Sequence, residues 1–165
     1  MSDLKSSEAM TRVLLDAARR EVPIDIVPRA AATSLEEAAE LLGVVPGHLL
    51  KTLVLKRSDD SFVFALIPGG RKLDWAKIRA VLRVNKLSLP DAETALAVTH
   101  FVRGTITPFG SHTALPVIID ASVFADPVPE RVAMGSGDPL HGLLVDPQDL
   151  VSGFEATIAD ISTPE

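Results

Sequence analysis

Lys51 stands where an apolar run takes on the character of a strand: Leu49 and Leu50 precede it, and Thr52, Leu53, Val54 and Leu55 follow. A lysine so placed has a packed stem and an ammonium directed at one point, where it can hold a phosphate as a point charge. The same placement suits a lysine that only guards a strand edge. A second feature is GTITPFG at 104–110. Gly104 and Gly110 let the backbone approach a ligand, and Pro108 fixes the turn. Such loops aim N–H groups at a carbonyl oxygen or phosphate, although a tight connection with no ligand has the same composition. A third is GSGDPLHG at 135–142. Gly135, Ser136 and Gly137 form a loop that bends sharply or admits a ligand. His141 can donate a hydrogen bond or exchange a proton, or be a half-buried structural histidine.

What is missing narrows the chemistry. The chain has no cysteine, which removes disulfides, thiolate metal sites, iron–sulfur clusters and a catalytic thiol. There is no Walker loop. Gly135 and Gly137 begin a dinucleotide fingerprint, but Leu140 breaks it. His48, His100, His112 and His141 lack the spacing of a histidine metal site. There is no Gly-x-Ser-x-Gly elbow, and adjacent Ser111 and His112 point apart on an extended chain. No cofactor or metal is called for. A hydrolase built from this chain would use backbone donors, a positioned lysine, and groups on the substrate or water.

The elements that must position these features follow from local pattern. Met10, Val13, Leu14, Ala17 and Ala18 predict an amphipathic helix over 8–20. Residues 24–28 alternate as a short strand. Ser34 with Glu37 is a capping box that opens a helix, and Gly43 closes it. The runs 49–56 and 61–67 read as a β-hairpin about a polar turn at 58–60. Helices are expected over 74–82, with Asp74 as N-cap, and over 90–98; a short strand is expected at 84–88. Further strands are expected at 116–120, 131–134 and 142–145, then a short helix at 147–152 and a strand or tail at 154–161. The class is α+β, with a mixed, largely antiparallel sheet.

The 165 residues suit one domain, with the helix at 1–22 packed on it. Apolar residues make up 47% of the chain and charged ones 23%, which excludes a disordered protein. The start, MSDLKSSEAM, lacks a signal-peptide core and no run is long enough to span a membrane, so a cytoplasmic protein is expected. The net charge of −6 is uneven. Residues 51–103 carry 10 basic and 5 acidic side chains, whereas 104–165 carry Arg131 alone against 9 acidic ones. The acidic remainder argues against gripping a long nucleic acid, and the basic middle leaves room for a local anion or for solvated faces.

Taken in order, these segments resemble the YbaK/ProX family of aminoacyl-tRNA deacylases, which also occurs as an editing module of prolyl-tRNA synthetases. The likeness rests on HLLKTLVL at 48–55, FALIP at 64–68 before Leu73 and Asp74, GTITPFG at 104–110, LPVIID at 115–120, and Gly135, Ser136, Gly137 with HGL at 141–143. It covers roughly 24–160. The resemblance implies a barrel-like mixed sheet flanked by helices. It implies hydrolysis, in trans, of the ester between a wrong amino acid and tRNA, with tRNA for proline carrying alanine, cysteine or another small residue as substrate. By this likeness Lys51 holds the phosphate or ribose end, and the Gly104, Thr105 and Ile106 backbone orients the ester. Thr52, Thr107, Pro108, Phe109, Gly110, Gly135, Ser136, Gly137 and His141 contact substrate. The attack comes from the substrate's own 2′-hydroxyl or a water that it holds. The implied partners are the tRNA acceptor end and prolyl-tRNA synthetase. His141 departs from the basic residue that many relatives carry there. Pocket size is expected to depend on Leu50, Leu66, Ile106, Phe109 and Met134. The alternative is a binding module of the same fold without turnover.

Overall fold

The computed structural model describes residues 2–165, with side chains from Glu8 onward. The hairpin forms as its alternation requires: β2 (Leu50–Arg57) pairs antiparallel with β3 (Phe62–Pro68), Lys51 opposite Ile67 and Thr52 opposite Leu66. Residues 63–68 of β3 are all buried, as in a strand covered on both faces. Leu50, Val54, Phe64 and Leu66 enter one apolar cluster, and Leu55, Val63, Ala65 and Ile67 another. The hairpin is therefore the wall between two cores.

Three other strands extend this wall. β5 (Leu87–Ser88) borders β2, and β6 (Val117–Asp120) and β9 (Thr157–Ala159) continue from β3 in parallel. A second sheet has the order β1 (Ile24–Pro28), β8 (His141–Val145), β7 (Val132–Gly135), all antiparallel. A bridge between Leu49 and Ala133 joins it to the start of β2. The class expected from sequence, α+β with mixed and largely antiparallel pairing, is the one observed. Among the described residues the strands do not close into one barrel: they fall into three separate sheets.

The third sheet is the two-stranded ladder of β4 (Arg71–Leu73) against β10 (Ser162–Pro164), Ser162 opposite Leu73. It has no counterpart in the sequence reading, because three-residue strands are too short to show a period. Four helices start on predicted or recognisable caps. Ser34 caps α2 (Leu35–Leu42), Asp74 caps α3 (Trp75–Leu82), Asp91 caps α4 (Ala92–Thr99) and Asp146 caps α5 (Pro147–Phe154).

The first helix, α1 (Ser2–Arg19), is turned from its expected face. It buries Ala9, Val13, Asp16 and Ala17, whereas Leu14 is 47% exposed. A buried aspartate at position 16 is tolerated because Arg20 Nε donates to it at 2.9 Å, and Arg19 also donates to it. No helix among the described residues is long and apolar enough to cross a membrane.

Candidate active site

A cleft of about 710 Å³ runs along the outer edge of β2, between α2, α4 and the two glycine loops. It exists because β5 pairs only with Lys56 and Arg57, leaving the rest of that edge without a β5 partner. Lys51, Thr52, Gly104, Ile106 and Gly135 all line it, so three segments widely separated in sequence meet in one place. Leu50, Val54, Ile106 and Met134 supply apolar wall. Leu66 and Phe109, expected to shape the pocket, are fully buried in the core and do not line it.

Alternation along β2 places Thr52 on the face shared with Leu50 and Val54, and Lys51 on the other, beside β4. Thr52 Oγ1 is buried with no hydrogen-bond partner. An unsatisfied buried hydroxyl costs about 1–3 kcal/mol, which a bound polar group would recover. Lys51 Nζ donates to the Arg71 carbonyl at 2.7 Å and stands 3.6 Å from Glu165 Oε1. Arg71 is itself held, its Nε donating to Ser162 Oγ at 2.7 Å and lying 3.7 Å from the Asp120 carboxylate. The β4–β10 ladder thus anchors the lysine at the rim of the cleft, and sequence reasoning had no signal for that ladder.

The 104–110 loop is divided in its roles. The amides of Gly104 and Ile106 make no hydrogen bond to the described chain. Both residues line the cleft, as does Arg103, whose amide likewise makes no hydrogen bond to the described chain. Thr105 is buried, with its N–H and hydroxyl both donating to the Val102 carbonyl. Thr107, Pro108 and Phe109 are buried beneath the loop, and none lines the cleft. Gly110 lies against α1 instead, its N–H donating to Asp16 Oδ2 at 2.8 Å.

The later loop is equally divided. Gly135 reaches the cleft, but Ser136 is buried, its hydroxyl donating to the His141 carbonyl at 2.8 Å. Gly137 packs on Phe101, and its N–H donates to the Thr105 carbonyl at 2.9 Å. His141 lies outside the cleft lining, with Nδ1 3.4 Å from Asp138 Oδ1. The glycines were expected to serve a sharp bend or to admit a ligand. At Gly135 the requirement is instead contact between loops: an added Cβ would lie 2.6 Å from the Ile106 carbonyl oxygen and 2.9 Å from that of Thr105. Gly135→Ala is therefore expected to cost about 1–3 kcal/mol, the usual range for overpacking, and to displace the Ile106 amide. Urea denaturation measures the first effect and an activity assay the second. Sequence reasoning missed Arg29 and Arg103, which also line the cleft and had no pattern to mark them.

A model described as the aminoacyl-tRNA editing domain matches residues 29–152. A protein of Enterococcus faecalis named for Cys-tRNA(Pro)/Cys-tRNA(Cys) deacylation, EbsC, is 27% identical over 134 residues, covering 80% of this chain and 79% of that protein. A proline–tRNA ligase of Desulforamulus reducens is 32% identical over 111 residues, covering 67% of this chain but only 19% of the ligase. This chain thus corresponds to a small part of the ligase. A crystal structure titled as a trans-editing enzyme for prolyl tRNA synthetase superposes with TM-score 0.82 at 23% identity, over 94% of this chain and 97% of that one, and shares its fold.

Proposed function

The chain belongs to the aminoacyl-tRNA editing family, and from that membership we propose that it is a trans-editing deacylase for mischarged tRNA, tRNA for proline carrying alanine, cysteine or a similar small residue. One observation carries the reading at the level of chemistry: Gly104 and Ile106, whose amides make no hydrogen bond to the described chain, line one cleft with Lys51. An aminoacyl ester is already activated, so placement and stabilisation of charge on its carbonyl oxygen suffice. Each well-aimed backbone donor is worth ~3–4 kcal/mol toward the oxyanion. Lys51 holds a phosphate or the ribose end. A water held by the substrate's 2′-hydroxyl attacks the carbonyl carbon, and its proton passes to the ribose oxygen that leaves. The ester C–O bond then breaks, releasing the amino acid and a free ribose hydroxyl on the tRNA. The apolar wall admits a small side chain, and Thr52 Oγ1 is the polar group available to the aminoacyl moiety. Residues 1–165 act as one unit in the cytoplasm, gripping the acceptor end alone, and prolyl-tRNA synthetase supplies the charged tRNA.

The binding-module reading has one observation in its favour, the engagement of Lys51 by Arg71 and Glu165. Deacylation of alanyl-, cysteinyl-, seryl- and threonyl-tRNA for proline, with prolyl-tRNA as control, decides between the two. Rapid loss of one mischarged species supports editing and names the substrate. No turnover, with synthetase present, supports binding alone.

A further inference from the structure

The loop bearing Gly104 and Ile106 is held at both ends by a helix outside the family match, since the match covers 29–152 and α1 ends at Arg19. A terminal guanidinium nitrogen of Arg12 donates to the His100 carbonyl at 2.7 Å, and Arg12 Nε donates to the Gly110 carbonyl at 3.3 Å. The guanidinium carbon lies 5.0 Å from the centre of the Phe101 ring. One turn along α1, Asp16 Oδ2 accepts the Gly110 N–H at 2.8 Å. Gly110 has φ +69°, and a Cβ there would lie 2.7 Å from the backbone of Arg12 and Val13, so the loop's exit rests directly on the helix. Positions 100 and 110 are thus tied to two side chains one turn apart. The cleft-lining Arg103, Gly104 and Ile106 lie between them.

Packing alone does not call for this arrangement. An apolar residue at position 16 would extend the stripe of Ala9, Val13 and Ala17 without burying a charge. The buried carboxylate instead gives the Gly110 amide a fixed partner. We infer that Arg12 and Asp16 are positioning residues for deacylation, holding loop 100–110 so that the Gly104 and Ile106 amides stand at the cleft. The inference rests on the editing function proposed above.

The test compares wild type with Arg12→Ala, Arg12→Lys, Asp16→Ala and Asp16→Asn, in steady-state deacylation and in amide hydrogen exchange. Arg12→Ala is expected to lower kcat by roughly 10–10²-fold with little change in KM, the scale of a small misplacement. Exchange at Thr105 and Phe109, the hydrogen-bonded amides within 102–109, should accelerate while the 50–68 hairpin keeps its protection. Arg12→Lys reaches one carbonyl but not both, so its kcat should fall between the two. Asp16→Asn keeps an oxygen for the Gly110 N–H and should retain more kcat than Asp16→Ala; a role limited to neutralising Arg19 and Arg20 would make the two equal. The inference is overturned if Arg12→Ala keeps wild-type kcat, or if loop and hairpin exchange accelerate together. If Arg12→Ala does not fold, Arg12→Lys and Asp16→Asn carry the same comparison. If wild type deacylates no species in the panel, the functional reading has failed. Exchange then decides the clamp by itself: acceleration confined to 102–109 upholds it, and its absence overturns it.

Discussion

Replacing Lys51 by alanine should slow deacylation by roughly 10²–10³-fold, the cost of removing a preorganised charge-stabilising donor. Its present partners do not hold it against a phosphate. The Arg71 carbonyl is a neutral acceptor, and Glu165 is 54% exposed, so that ion pair is weak in water. A phosphate oxygen makes a stronger, charge-assisted bond. The substitution removes one rim contact, and a loss of about 1 kcal/mol would move the melting temperature by only ~2–4 °C in a chain of this size. The measurement is the deacylation rate of the best mischarged substrate, alongside thermal melting. A variant that melts normally and deacylates at the wild-type rate would remove Lys51 from the mechanism and leave the backbone amides to act alone.

Asp120→Ala should have the largest effect on stability, about 3–5 kcal/mol, the range for breaking a buried charged network. Asp120 is 1% exposed at the end of β6. Its Oδ1 accepts the Ile161 N–H at 2.9 Å, and its Oδ2 accepts the Ser122 N–H at 3.2 Å and the Ser122 hydroxyl. Burial pushes its carboxyl up, but hydrogen bonds from Ser122, Ile161 and Ser162 outweigh burial and hold it below the usual 3.8. A folded value below the unfolded one means that the unfolded state binds more protons in between. The contribution is fully present above pH 3.8 and is lost as the pH falls through the folded value. Urea denaturation at neutral pH should therefore separate Asp120→Ala widely from wild type, and the gap should shrink in acid. Asp120→Asn should lose less at neutral pH, because it keeps an acceptor for Ile161. Loss of Asp120 also removes the carboxylate 3.7 Å from Arg71, leaving Ser162 to hold the strand whose carbonyl anchors Lys51, so activity should fall in the folded fraction as well. Equal stability of Asp120→Ala and wild type would contradict this account.

The contrast between α2 and α1 shows how far sequence reading extends. Ser34, Glu37 and Gly43 specify where α2 begins and ends, because a cap is a hydrogen bond made within a few residues of chain. Period alone placed the exposed Leu14 on the buried face of α1. The face that packs carries Ala9, Val13 and Ala17 into the core and brings Asp16 to the Gly110 amide, 94 residues away. The candidate site divides in the same way. Lys51, Thr52, Gly104, Ile106 and Gly135 were legible as a strand lysine with its neighbour and as glycine-marked loops, and they meet in the cleft. Thr105, Thr107, Phe109, Ser136 and Gly137 belonged to the same segments but serve the loops' own packing. Composition marks a loop as special without saying which of its residues face outward.

The residues alone determined the hairpin, the helix caps, the α+β class and the absence of a cysteine nucleophile, since each depends on residue type or on periods of two to four residues. Tertiary structure decided which loop amides stay free, which side of β2 carries Lys51's anchor, and which helix holds the loop. Those outcomes depend on contacts such as Arg71 with Ser162, 91 residues apart. Pairings across such separations leave no local pattern, because their partners are chosen by how the two cores pack against the central sheet.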